Sequence, residues 1–205
     1  MTKFEKLVVY FEKFPGVGAR QAKRFAFHVL TMKPEQVAEF SDLVSSLSNS
    51  VVECKFCHRF FTIPNSDNAL CQICSDMNRD GYKLMIVASD NDIQAIERSG
   101  IYNGLFFVLG GTLSLLAKDN EQKLRSQTLK NLVLERTKNN KLEVILGFAV
   151  NPDGENTGRF VESLLNDLVL EGKVKISHLG RGLSTGSELE YADTETIKNA
   201  LKNRA

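Results

Sequence analysis

The sequence predicts an α/β protein in which a small parallel sheet is preceded by a helical region and a turn-rich lobe built on four cysteines. Three observations carry this. After Gly81, strand-like segments at Leu84–Ala88, Leu105–Leu109, Leu142–Val150 and Lys173–Ser177 alternate with segments of helical period. Such alternation implies parallel pairing through right-handed crossovers, and a sheet covered on both faces. Before Glu53 the periodicity is helical throughout, and between the two regions the cysteines come as matched pairs, Cys54-x2-Cys57 and Cys71-x2-Cys74.

Taken in order, Phe4, Leu7, Val8 and Phe11 fall at helical spacing and predict a helix over 3–13. Phe14-Pro15-Gly16-Val17-Gly18 breaks it, since one proline and two glycines continue a helix poorly. Ala22, Phe25, Ala26, Val29 and Leu30 predict a second helix over 19–31, and Val37, Phe40, Val44 and Leu47 a third over 35–49. The interior of the cysteine segment, TIPNSDNA, is rich in turn residues. Between the strands, helices are expected at 91–98, 120–138 and 155–171, with a last one near 193–203 after the glycine-bearing stretch 180–186. The organisation expected is therefore a helical region 1–52, a cysteine lobe 53–80, an α/β domain 81–179 and a C-terminal segment 180–205.

Composition narrows the class of protein. The 205 residues are 42% hydrophobic and 25% charged, ordinary for a globular chain and unlike a disordered or fibrous one. The longest apolar stretch, Leu105 to Ala117, is interrupted by Gly110, Gly111, Thr112 and Ser114 and is too short to span a bilayer. No secretory signal is read at the N-terminus, so a reducing cytosol is expected, where disulfides are rare. Net charge is only +1, so no bulk attraction to nucleic acid is implied. The charge is unevenly spread: Lys3, Lys6, Lys13, Arg20, Lys23 and Arg24 face only Glu5 and Glu12 in the first thirty residues.

Cys54, Cys57, Cys71 and Cys74 form two bites separated by thirteen residues, the pattern of a tetrahedral thiolate zinc site. Four thiolates leave no open coordination position, so such a zinc is structural. Two redox CxxC pairs, an iron–sulfur centre or four unrelated core cysteines are the alternatives. His58 is read as a bystander. In the glycine turn, Gly16 and Gly18 lack the preceding strand and the third glycine of a dinucleotide fingerprint. They fit a helix–hairpin–helix, whose backbone can approach a phosphate while Arg20, Lys23 and Arg24 reach neighbouring phosphates. A plain helical hairpin with a solvated basic face is the alternative. Asp90 and Asp92 follow the first strand, and Asp153 and Glu155 follow the third, where α/β sheets bind ligands and where magnesium would need converging carboxylates. Turn and helix-cap roles are the competing reading. His28 and His178 sit in no nucleophile motif, and the tail GRGLSTGSELEYAD is not a phosphate loop.

Together, FPGVGARQAKRFAFHVL, CKFC with CQICSD, IVASDNDIQAIERSGIYNGLFFVLGGTLS and RGLSTGSELEYAD resemble the RecR family of bacterial recombination mediators over nearly the whole chain. The resemblance implies a helix–hairpin–helix domain, a four-cysteine zinc finger, a Toprim α/β domain and a C-terminal segment used in subunit contacts. It also implies a non-enzymatic protein that acts with RecO and RecF to load RecA onto gapped single-stranded DNA, as a dimer or tetramer, in the bacterial cytoplasm at the nucleoid. Cys54, Cys57, Cys71 and Cys74 would hold one zinc ion, and Arg20 and Arg24 would contact DNA. Three departures stand out. The cysteine pairs lie farther apart than is usual in the family. The glutamate that usually ends the first Toprim strand is replaced by Ala88, which argues against metal-dependent strand cleavage. The family's NPTxEGEAT run is shortened to Asn151-Pro152-Asp153-Gly154-Glu155-Asn156-Thr157, leaving Asp153 and Glu155 both candidates for the RecO contact. The competing classes are a magnesium-dependent Toprim nuclease or primase and a protein scaffold that touches no DNA.

Overall fold

The computed structural model describes residues 1–62, 70–114, 124–180, 182–183, 186, 188–192 and 194–202. They form two compact units, Met1–Val52 and a second from Glu53 onward.

The first unit holds α1 (Lys3–Glu12), α2 (Ala19–Thr31) and α3 (Pro34–Ser50). α1 starts in a capping box: the Glu5 amide donates to Thr2 Oγ1 at 3.2 Å and the Thr2 amide to Glu5 Oε2 at 2.6 Å. Pro15 and Gly16 then turn the chain, with the Val17 amide donating to the Phe14 carbonyl at 3.0 Å. Gly16 takes φ +75°, a conformation that favours glycine. The small core is Val8 and Phe11 of α1 against Ala22 and Ala26 of α2, flanked by Phe4, Leu7, Val17 and Val29. Two alanines a turn apart let the backbones of α1 and α2 come close. The expected apolar faces are only partly buried. Phe25 and Leu30 are exposed, and so are Phe40, Val44 and Leu47 of α3. Period identifies an apolar face; it does not supply what covers it.

The second unit is entered along β1 (Val51–Glu53), which with β2 (Phe60–Thr62) forms a two-stranded sheet that brackets the first cysteine pair. A single turn, α4 (Gln72–Ser75), carries the second pair. Next come β3 (Asp80–Val87), α5 (Asp90–Ser99), β4 (Gly104–Val108), α6 (Ser126–Arg136), β5 (Leu142–Leu146), α7 (Pro152–Leu170), β6 (Val174–His178) and α8 (Thr194–Lys202), with a 3-10 turn at Leu189–Tyr191. The sheet runs β4-β3-β5-β6, parallel throughout. Its central strand β3 carries four consecutive buried residues, Leu84 to Val87, as a strand covered on both sides should.

Each sheet face has its own core. On one, Leu84, Ile86, Phe107, Val144 and Leu146 pack on Leu129 and Val133 of α6 and on Val161 and Leu165 of α7. On the other, Met85, Val87, Phe106 and Val108 pack on Ile93 of α5 and on the cysteine lobe. Over β5 and β6 that second face presents Glu143, Lys175 and Ser177, with Ser177 Oγ donating to Glu143 Oε1 at 2.8 Å.

Strand β5 stops at Leu146 instead of reaching Val150, and α7 begins at Pro152, ahead of the expected 155. Proline suits the first helical turn, and Asn151 caps the helix by accepting the Gly154 amide at 2.7 Å. The β1–β2 pair has no counterpart in the sequence reading, because three-residue strands are too short to show a period. The start of the 120–138 helix, most of the TIPNSDNA loop, and the ends of the last helix at 193 and 203 lie outside the described residues. Among the described residues no helix is long and apolar enough to cross a membrane.

Candidate metal centre and nucleic-acid interface

The four cysteines converge. Their sulfurs all lie within 4.8 Å of one another, with Cys57 Sγ and Cys71 Sγ 3.5 Å apart. A disulfide needs about 2.05 Å, so these are free thiols. Ligands about 2.3 Å from a tetrahedral zinc stand roughly 3.8 Å apart, a spacing this cluster meets with little adjustment. The turn that aims the first pair is closed by the His58 amide donating to the Cys54 carbonyl at 3.0 Å and the Cys54 amide to the Arg59 carbonyl at 2.8 Å. His58 itself takes φ +60°, and its Nδ1 pairs with Glu53 Oε1 at 2.5 Å, leaving it outside the sulfur cluster. The Cys71 amide points at Cys54 Sγ from 3.4 Å, a contact suited to a thiolate.

Protonation of the set is uneven. Hydrogen bonds from the neighbouring thiols, Cys57 first, push Cys54 strongly down, whereas bonds to Cys54, Cys57 and Cys71 push Cys74 up. Bringing all four to the thiolate form in so small a space requires a cation among them. The donor set fits a closed, structural zinc site, and among the described residues it is the only group of three or more candidate ligands.

Sequence reasoning missed how this centre is mounted. Cys54, Cys57 and Cys71 are buried in the same core as β3, β4 and α5. The Val108 amide at the end of β4 donates to the Cys57 carbonyl at 2.8 Å, and the Phe60 amide of β2 donates to Asp90 Oδ1, also at 2.8 Å. Arg125 Nε reaches Glu53 at 3.3 Å, and the His58 ring meets Phe107 edge-on, centroids 5.2 Å apart. The apolar residues Phe61, Leu70 and Ile73 in the lobe were the available signal, though nothing in their order says which surface they seek.

The carboxylates do not converge. Asp90 is engaged by the Phe60 amide, and Asp92 Oδ2 accepts from the Ser89 amide at 2.8 Å and from Ser89 Oγ at 3.0 Å, closing a capping box on α5. Asp153 and Glu155 lie in the first turn of α7. There the fully buried Thr157 donates to the Asp153 carbonyl at 2.6 Å and accepts the Leu113 amide at 2.8 Å, tying this turn to the loop after β4. Glu155 lies 3.8 Å from Arg159 Nη2. Gly154 fits where nothing larger could, since an added Cβ would sit 2.1 Å from the Ala149 carbonyl oxygen. Beside this turn a cleft of about 530 Å3 is lined by Phe148, Glu155, Arg159, Glu162 and His178, the last bonded through Nε2 to Glu162 at 2.9 Å.

In the first unit Arg20, Lys23 and Arg24 are all exposed on α2. Arg24 Nη1 donates to Gln21 at 3.3 Å, the first turn of α2 holds no acid, and the cap residue Gly18 makes no side-chain bond. The aromatic residues Tyr10 and Phe14 beside this turn are also exposed, a feature the charge and glycine pattern did not reveal.

Residues 4–47 match the RecR helix–hairpin–helix family, residues 82–180 the Toprim domain, and residues 182–205 the RecR C-terminal family. Proteins named recombination protein RecR match along nearly their full length. That of Lactobacillus helveticus is 32% identical, covering 97% of this chain and 94% of the relative. That of Dehalococcoides mccartyi is 34% identical over 97% of this chain and 92% of its own, and that of Ureaplasma urealyticum 32% identical over 98% and 95%. At this identity over nearly the whole of both chains, the chain belongs to the RecR family.

Proposed function

We propose that the protein is a non-catalytic, DNA-binding mediator of recombinational repair that works with RecO- and RecF-type partners to help load RecA on gapped single-stranded DNA. The observation that carries this reading is the hairpin: Gly16 in the left-handed conformation, an uncapped and acid-free first turn of α2, and Arg20, Lys23 and Arg24 exposed beside it. Backbone amides and glycines 16 and 18 meet phosphate oxygens, and the three cations straddle adjacent phosphates. Such contacts give affinity without sequence choice, on single or duplex DNA, and weaken steeply with salt. One hairpin per chain is a weak binder, and a dimer or tetramer sums several of them.

Cys54, Cys57, Cys71 and Cys74 hold one structural zinc per chain, which ties the two cysteine pairs of the lobe together and supplies no chemistry of its own. Absence of catalysis is supported by the engagement of Asp90 and Asp92 in backbone bonds and by Ala88 directly after β3. Asp153 and Glu155, at the head of α7 beside the cleft, are offered to the RecO-type partner. The setting is the bacterial cytoplasm, at the nucleoid.

A salt-titrated DNA-binding assay, with and without a RecO-type protein and with oligomeric mass measured alongside, tests this reading. Binding that falls with salt and is lost in Arg20→Ala/Arg24→Ala supports it. Unchanged affinity in that double variant at low salt favours a scaffold instead. Magnesium-dependent turnover of labelled DNA, abolished by Asp153→Ala, would establish an enzyme.

A further inference from the structure

We infer that Tyr10 and Phe14 form a stacking platform for unpaired nucleobases beside the basic hairpin, so that this unit favours single-stranded over base-paired DNA. The inference rests on the DNA-contact reading above and names which form of DNA the hairpin selects. Tyr10 is 64% exposed and Phe14 55%, although both are large aromatic residues in a unit short of core. They bracket Lys13, whose Nζ sits 4.8 Å from the centroid of the Tyr10 ring. Phe14 opens the turn closed by the Val17 amide, and from inside it is braced edge-on by Phe11 at 5.8 Å, itself braced by Phe25 at 5.8 Å. The ring is therefore held in place by the core while more than half of it faces solvent.

Exposed aromatic rings next to a chain of cations are what a single strand needs. Phosphates meet the charges, and bases lacking a partner stack on the rings without sequence preference. A base-paired duplex offers its phosphates but keeps its bases stacked inside. A second copy of the chain is the other conceivable occupant of these rings. Charge favours the polyanion, because the first thirty residues carry Lys3, Lys6, Lys13, Arg20, Lys23 and Arg24 against two acids.

The chain has no tryptophan, so Phe14→Trp places a single reporter on the platform. Titration of this variant, as full-length protein, with a single-stranded oligodeoxynucleotide should quench the emission. The same length of abasic tetrahydrofuran strand, and the matching duplex, should not. In parallel, Tyr10→Ala/Phe14→Ala is expected to weaken single-strand binding by about tenfold while leaving the abasic strand unaffected. Phe14→Leu, which keeps apolar bulk and loses the π face, should weaken it in the same direction. Equal affinity for base-bearing and abasic strands, both weakened by Arg20→Ala/Arg24→Ala, overturns stacking and leaves phosphate contact standing. Failure to bind either strand overturns both readings. Quenching on raising the protein concentration alone assigns the rings to a second copy and overturns the proposal, as does wild-type single-strand affinity in Phe14→Leu.

Discussion

The helical hairpin and the cysteine lobe are both too small to bury much apolar surface, and they meet that shortage in opposite ways. The hairpin relies on close approach: four buried residues, two of them alanine, hold α1 to α2, while Phe14, Leu30 and the apolar face of α3 remain exposed. The lobe relies on cross-linking and borrowed surface. Its sulfurs converge on one point, and the same residues complete the core over β3 and β4. A cross-linked lobe can be rigid without being autonomous. A hairpin that leaves apolar and basic surface open is placed to engage something else.

The largest effect should come from breaking the cross-link. Cys57→Ser, or zinc removal by a strong chelator, should unfold the lobe and strip the cover from Met85, Val87, Phe106 and Val108. Structural zinc sites contribute about 10–16 kcal/mol in small domains, so the cooperative transition of the second unit should be lost or lowered by several kcal/mol. Calorimetry with elemental analysis measures this. If zinc leaves while that transition is unchanged, the lobe is autonomous and the contrast with the hairpin fails.

Next in size is overpacking the hairpin. Ala26 is fully buried against α1, and Ala26→Leu should cost about 1–3 kcal/mol. The loss should be confined to residues 1–52, as read by amide hydrogen exchange. Protection falling equally in both units would show that the two stabilise each other.

A smaller change sharpens how the lobe is mounted. Asp90→Ala removes the acceptor of the Phe60 amide, and about 1 kcal/mol of stability should go with it. Faster exchange of that amide is the specific signature, and an unaltered rate would mean that the Cys57–Val108 bond and the apolar contacts hold the lobe by themselves.

Smallest in stability, and large only in binding, is Arg20→Ala/Arg24→Ala. Both side chains are exposed, so unfolding should move by no more than about 0.5 kcal/mol. The salt dependence of DNA affinity should nonetheless flatten by roughly one unit of log–log slope per arginine, measured as binding constants across a salt series. A parallel downward shift with no change of slope would assign the arginines to something other than phosphate contact.

Much of this architecture was legible along the chain. Four strands, expected at 84–88, 105–109, 142–150 and 173–177, and helices between them were legible because a buried strand writes a short apolar run and an amphipathic helix writes a spacing. The error over 147–150 came from apolar residues that line the cleft below α7 instead of extending β5. The cysteine cluster was legible because its spacing encodes a bite. Its place in the core was not, since Phe61 and Ile73 carry no mark of the surface they pack on. For the carboxylates, residue type suggested metal chemistry at Asp90 and Asp92, and only their partners, the Phe60 and Ser89 amides, revealed cap and docking roles.

The sequence by itself determined the elements, the four thiols at two matched bites, the basic excess of the first thirty residues, and the order of parts that marks the family. These are local properties, set by side-chain period, turn chemistry and charge within a few residues of one another. Only the tertiary structure decided that the cysteine lobe finishes one face of the sheet, that the acids after β3 are spent on backbone amides, and that aromatic rings stand exposed at the hairpin. Those outcomes depend on which surfaces meet across long stretches of chain, and burial is a property of the partner as much as of the residue.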